Sequence, residues 1–77
     1  MPTEELNNLI KMANHIADNI AIGESQAVTA PKVAAHLSSF WARPMKDKII
    51  DYALDGGDNL NVVAKQAVLQ LQEKQVS

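Results

Sequence analysis

The sequence contains no cysteine, and this absence excludes several kinds of chemistry. The chain can form no disulfide, offers no thiolate ligand to a metal and has no cysteine nucleophile. It has one Phe, one Trp and one Tyr in 77 residues, so small side chains, above all alanine, supply much of its 47% apolar content. Small side chains favour helices that pack closely together. We therefore expect a small domain of modest stability.

The sequence also lacks a long apolar run and an excess of positive charge. No stretch of 18 apolar residues follows the acidic start, so we expect neither a signal peptide nor a membrane span, and the cytoplasm is the expected location. Seven Lys and Arg stand against nine Asp and Glu, and the positive residues are scattered along the chain. This charge balance disfavours a nucleic acid as the partner.

The spacing of apolar residues predicts an all-α protein, a single small domain of about four short helices over residues 1–77. The core covers about 3–71, and the polar tail 72–77 is expected to fray. Thr3 is the expected cap of the first helix, and Gly23 is expected to end it. The apolar face of this helix consists of Leu6, Leu9, Ile10, Ala13, Ile16, Ala17 and Ile20.

The second predicted helix begins at Thr29 or, one turn earlier, at Ser25. Pro31 suits its first turn, where a missing N–H costs nothing. Arg43 precedes Pro44, which disfavours helical geometry at Arg43, so the chain is expected to break at Ala42-Arg43. The apolar stripe of the second helix consists of Val33, Leu37, Phe40 and Trp41.

The third predicted helix covers Met45 to Leu54, and Gly56-Gly57 ends it. Asn61, or Asp58 upstream, is the expected cap of the fourth helix. The apolar face of the fourth helix consists of Val63, Ala64, Ala67, Val68 and Leu71.

No residue pattern predicts a catalytic site. The four serines lie in no nucleophile motif. His15 and His36 belong to different helices, and neither has a second histidine four residues away, so both are interpreted as surface residues. The serines are Ser25, Ser38, Ser39 and Ser77.

Carboxylates offer no metal site either. Asp47, Asp51 and Asp55 share one face of the third helix, and such a stripe is most often a solvated face, partly neutralised here by Lys48. The segment that starts at Asp55 lacks the ligands of a calcium loop. The sequence therefore predicts no catalytic, cofactor-binding or metal-binding residue in this chain.

Three features suggest contact with another protein. The third helix is apolar over about 200° of its circumference and must be covered on two sides, within the domain or by a partner. Val62 and Leu69 form a small apolar strip opposite the core face of the fourth helix. Between the second and third helices, Trp41, Arg43 and Met45 combine side chains enriched at interfaces. These five residues form the predicted interface, with Phe40 in the core and Trp41 straddling core and surface.

Several segments of this sequence resemble the delta subunit of the soluble NAD-dependent formate dehydrogenases. The resemblance runs from about Leu9 to Leu71 and rests on M-A-N-x-I, on H-L-x-x-F-W-x-x-x-M and on a glycine pair before a final helix. The chain departs from the family where Ala42-Arg43-Pro44 follows the tryptophan, since the family usually has Asp-Pro-Arg or similar there. The segments are Leu9 to Ile16, Val33 to Trp41, Met45, Ile49-Ile50, Gly56-Gly57 and Ala67-Val68.

The resemblance implies a small non-catalytic subunit that assists the assembly or stability of a cytoplasmic enzyme. The larger subunits of that enzyme would carry a molybdenum pterin, iron–sulfur clusters and FMN, and this chain would carry none of them. Two alternatives remain open from the residues alone. The chain could be a free-standing helical homo-oligomer, or a helix-turn-helix module that binds nucleic acid, although the aspartates of the third helix disfavour the module.

Overall fold

The computed structural model describes residues 4–20 and 23–76, with side chains as far as Glu73. The predicted all-α fold is confirmed, with four helices and no strand in the described part of the chain. None of the helices within these ranges is long and apolar enough to cross a membrane. The helices are α1 (Glu4–Ile20), α2 (Gln26–Phe40), α3 (Arg43–Leu54) and α4 (Val62–Val76).

The helix α4 is the centre of the molecule: both α1 and α4 contact each of the other three helices, and the contacts of α4 are the more extensive. Its most extensive contact is with α2, where both helices bury alanines and their backbones can approach closely. The helix α3 packs against α4 and α1, so most of its predicted cover comes from within the domain, while its last residue, Leu54, stays 55% exposed. The buried core consists of Leu9, Ile10, Ala13, Ala17, Ala30, Val33, Ala34, Leu37, Trp41, Ile49, Ile50, Ala53, Leu60, Ala64, Ala67, Val68 and Leu71.

The start of α2 follows the earlier of the two predicted alternatives. Ser25 precedes the helix with extended backbone angles, and its carbonyl accepts hydrogen bonds from the N–H of Thr29 and from the Thr29 hydroxyl, at 2.9 and 2.8 Å. Thr29 is therefore a buried helical residue, and its prediction as the cap is wrong. Pro31 consequently lies inside the helix instead of in its first turn, on the exposed side where water can reach the carbonyl left without its donor.

The break between α2 and α3 comes one residue earlier than predicted. Trp41 and Ala42 are both extended, and the Ala42 carbonyl accepts a hydrogen bond from the Lys46 N–H at 3.1 Å. Arg43 is thus already the first residue of α3. Pro44 follows at the second helical position, where no N–H is needed.

The loop between α3 and α4 is fixed by a glycine pair at its start, as predicted. Gly56 and Gly57 have φ of 116° and 59°, and their N–H groups donate to the carbonyls of Ala53 and Tyr52. This pattern is a Schellman motif, which closes the end of a helix. The motif ends α3 and directs Leu60 into the core, where it is 7% exposed.

Asn61 is the cap of α4, which confirms the first of the two predicted alternatives. Its Oδ1 accepts a hydrogen bond from the Ala64 N–H at 2.7 Å. The helix then continues beyond Leu71 to Val76, while fraying of the tail stays a prediction. The predicted cap Thr3, and Ser77, lie outside the described residues.

Asn14 joins α1 to the loop that precedes α4. Its Nδ2 donates to the Asn59 carbonyl and its Oδ1 accepts from the Asn61 N–H, both at 2.8 Å. The Asn61 amide donates in turn to Asp18 at 3.1 Å. Asn14, the asparagine of the M-A-N-x-I segment, therefore has a structural role, because it forms hydrogen bonds with loop backbone groups that have no partner within a helix.

Candidate partner-binding surfaces

The structure reverses the predicted places of the two adjacent aromatic residues. Phe40 is 75% exposed, whereas Trp41 is 6% exposed and belongs to the core. Phe40 is the last residue of α2, and the extended backbone at Trp41 turns the chain toward α3 while the indole ring packs beneath the turn. The prediction of a core Phe40 and a half-exposed Trp41 is wrong. A buried Trp41 offers little area to a partner, so the reason for placing it at an interface is lost.

The α2–α3 corner, defined here as His36, Phe40, Arg43, Met45 and Lys46, is the first candidate surface. The rings of His36 and Phe40 lie against each other, with centroids 4.6 Å apart and planes tilted by 38°. Arg43 is exposed, and Met45 is half-buried against the core. The Lys46 ammonium donates to a carbonyl of the last turn of α2 at 3.3 Å, which ties the two helices together.

The α4 groove is the second candidate surface and has a volume of about 470 Å³. It contains both members of the predicted apolar strip, with Val62 57% exposed and Leu69 half-buried. Lys65 lies between them, and its side chain would lie 3.5 Å from a Cβ on Gly57. The lining residues are Gly56, Gly57, Asp58, Leu60, Val62, Lys65, Gln66 and Leu69.

The other polar residues of the sequence analysis form no site. Asp47, Asp51 and Asp55 are exposed, and Lys48 pairs with Glu5 of α1 at 2.7 Å instead of neutralising that stripe. The described residues contain no group of three or more His, Asp or Glu that could hold a metal ion. Among the predicted surface histidines, His15 is exposed and His36 is half-buried against Phe40.

Sequence reasoning missed Phe40 as a surface residue and Lys65 as part of a groove. On a helical wheel, the buried face of α2 is centred between Val33 and Leu37. Phe40 and Trp41 lie on opposite sides of this centre at similar angles, so the periodicity alone does not show which of the two is buried. The groove depends on where the loop 55–61 folds back over α4, which no local pattern indicates. The seven-residue spacing of Val62 and Leu69 is the one feature of the sequence that indicates this surface.

Fold and surface together define a small all-α domain in which five large apolar side chains of the described residues are exposed. These are Met12, Val28, Phe40, Leu54 and Val62, exposed by 43, 48, 75, 55 and 57%.

Comparison with known families then identifies the chain more closely. The family of the NADH-dependent formate dehydrogenase delta subunit, FdsD, matches residues 8–68, which is most of the chain. The protein belongs to this family, and the resemblance seen in the sequence is confirmed. No curated protein and no solved structure shows significant similarity to it.

Proposed function

We propose that this chain is the non-catalytic accessory subunit of a cytoplasmic NAD-dependent formate dehydrogenase, and that it binds the larger subunits to support their assembly or stability. Membership of the delta-subunit family over residues 8–68 is the observation that carries the proposal. In this proposal the larger subunits hold the molybdenum pterin, the iron–sulfur clusters and the FMN. The chain itself contributes contact surface and no reacting group.

The exposed apolar residues support a binding role. Single exposed apolar side chains are common in proteins, but here the α2–α3 corner combines the exposed Phe40 with the half-buried Met45, and the α4 groove combines the exposed Val62 with the half-buried Leu69. The predicted interface residues Arg43, Met45, Val62 and Leu69 fall on these two surfaces. We retain these four in the proposed interface.

Production of the larger subunits with and without this chain tests the proposal. We expect a tagged form of the chain to co-purify with them, and we expect its omission to lower the molybdenum and iron content or to shorten the half-life of formate-dependent NAD⁺ reduction at elevated temperature. Absence of co-purification with both the apo form and the finished enzyme would contradict the proposal.

Adding the chain back separates its two proposed roles. If it supports stability, the purified chain added to finished enzyme made without it will restore the thermal half-life. If it supports folding or cofactor insertion, only co-production of the chain with the larger subunits will restore activity.

A homo-oligomer is the second candidate. The protruding Phe40 and the partly apolar α4 groove could meet between copies in a head-to-tail contact. A helix-turn-helix role is less favoured, because α3 exposes Asp47 and Asp51 to any approaching phosphate.

A further inference from the structure

Phe40 is the most exposed of the large apolar side chains in the described residues, and it is held in place. At 75% exposure it contributes little to the core, yet the imidazole ring of His36 lies 4.6 Å from it and supports one side of the ring. An aromatic ring that is ordered before binding loses little conformational entropy when a partner covers it. Phe40 therefore has the properties of an interface anchor.

The backbone under Phe40 is rigid as well. The next residue, Trp41, is buried in the core, and its N–H donates to the Leu37 carbonyl at 3.0 Å. On the other side of the turn, Lys46 of α3 donates to the Ser38 carbonyl. The corner thus presents Phe40 from a fixed position rather than from a mobile loop.

The charge around Phe40 differs from that of the rest of the chain. Residues 25–46 contain three Lys or Arg and no Asp or Glu, while the remaining residues contain four Lys or Arg and all nine Asp and Glu. Within this segment Lys32 is paired with Glu24 at 2.8 Å, far along α2 from the corner. The Arg43 guanidinium is exposed and has no hydrogen bond or ion pair with any described residue. The α2–α3 corner itself therefore carries two cations, Arg43 and Lys46, and no carboxylate, on a chain of net charge −2, and the exposed Asp47 is the first acidic residue that follows it in α3.

The α4 groove carries no comparable indication of what covers it. Its lining includes both Asp58 and Lys65, so its charge favours neither sign in a partner. The α2–α3 corner combines one protruding ring with charge of one sign, and this combination specifies the complementary surface.

We propose that the α2–α3 corner inserts Phe40 into an apolar pocket on a larger formate dehydrogenase subunit, and that carboxylates at the rim of this pocket face Arg43. The inference rests on the proposed function and adds to it the docking residue and the chemistry of the partner surface. The apolar contact supplies most of the affinity, and the charge contact sets orientation and association rate.

Binding of the full chain to the purified larger subunits, prepared without it, tests the proposal. Phe40→Ala is expected to weaken the equilibrium affinity by at least about 30-fold, the usual effect of removing an interface anchor. Leu54→Ala is the matched control, because Leu54 is an exposed apolar residue near the end of a different helix, and it is expected to change the affinity less than about twofold. Circular dichroism and melting temperature of each variant confirm that it is folded.

The charge contact is tested separately by Arg43→Glu. We expect weaker binding by about tenfold at low salt and a smaller dependence of the affinity on ionic strength than in the wild type. Lys11→Glu is the control, since Lys11 is an exposed cation of α1 with no partner among the described side chains. It is expected to leave the salt dependence nearly unchanged.

Each outcome bears on a different statement. If the wild-type chain does not bind the larger subunits, the proposed function itself fails. If it binds and folded Phe40→Ala binds equally well, the function stands and the corner is not the anchor. If Leu54→Ala weakens binding as much as Phe40→Ala, the contact lies elsewhere and the inference is wrong. Retention of a short DNA or RNA duplex at physiological salt that Arg43→Glu abolishes would also overturn it.

Discussion

Trp41 and Phe40 are adjacent residues with opposite environments. Trp41 is 6% exposed and fills the core beneath the α2–α3 turn, whereas Phe40 is 75% exposed. We expect Trp41→Ala to lower the free energy of unfolding by about 3–5 kcal/mol, a large part of the total of about 5–15 kcal/mol, because it empties a large core site. Phe40→Ala should change it by less than about 1 kcal/mol.

Thermal or urea unfolding of both variants under the same conditions measures this contrast. For a domain of this size 1 kcal/mol corresponds to about 4–8 °C in melting temperature, so the two variants are well separated. Equal losses, or a larger loss for Phe40→Ala, would show that the phenyl ring and not the indole completes the core.

At the scale of elements, the loop before α4 is held by two asparagines. Asn14 bonds to backbone groups of the loop, and Asn61 caps α4 while it also donates to Asp18. We expect Asn14→Ala and Asn61→Ala each to cost about 1–2 kcal/mol of stability, because each leaves backbone groups without a partner. The hydrogen bonds between the two residues each join one side chain to the other residue's backbone, so the two substitutions remove different bonds. Both residues hold the same loop, however, and a loop loosened by one substitution weakens the bonds of the other residue, so the double variant should cost less than the sum of the two.

A double-mutant cycle by chemical denaturation measures this coupling. Asn8→Ala is the control, because Asn8 is an exposed asparagine of α1 whose side chain makes no hydrogen bond with the described residues, and its effect should be close to zero. Strict additivity of the two substitutions would mean that the asparagines act independently.

Gly57 and Gly23 both have left-handed backbone angles, and they differ in the space around them. Gly57 has φ of 59°, and a Cβ there would lie 3.2 Å from the Ala53 Cα, whereas Gly23 has φ of 76° and no atom within 4 Å of a Cβ. Both Gly→Ala substitutions strain the backbone by about 1 kcal/mol. We expect Gly57→Ala to lower the melting temperature clearly more than Gly23→Ala, since only the former also disturbs packing.

For the molecule as a whole, the oligomeric state distinguishes the proposed accessory subunit from the homo-oligomer. An accessory subunit whose apolar surfaces bind larger chains, and not a second copy of itself, should remain a monomer of 8.4 kDa in light scattering over a wide concentration range. A mass that rises with concentration, and that Phe40→Ala or Val62→Ala returns to the monomer, would favour self-association through the corner or the groove.

The sequence by itself determined the fold class, the order of the four helices and the glycine stop of α3, and it limited the cap of α4 to Asn61 or Asp58. These features depend on local periodicity and on hydrogen bonds between residues a few positions apart, so a short segment of sequence is enough to predict each of them. Membership of the delta-subunit family was also apparent from motif order and spacing.

Only the tertiary structure decided which surfaces are left open. Whether Phe40 or Trp41 is buried depends on where α2 ends and how the chain turns into α3, because the two residues flank the buried face of the helix on opposite sides. The sequence also left open whether Ser25 or Thr29 precedes α2 as its cap, since a threonine suits both a cap and a buried helical position. The partner of Lys48 is Glu5, and Asn14 bonds to the loop 58–61. Such contacts join residues distant in sequence, which come together only when the helices have packed around α4.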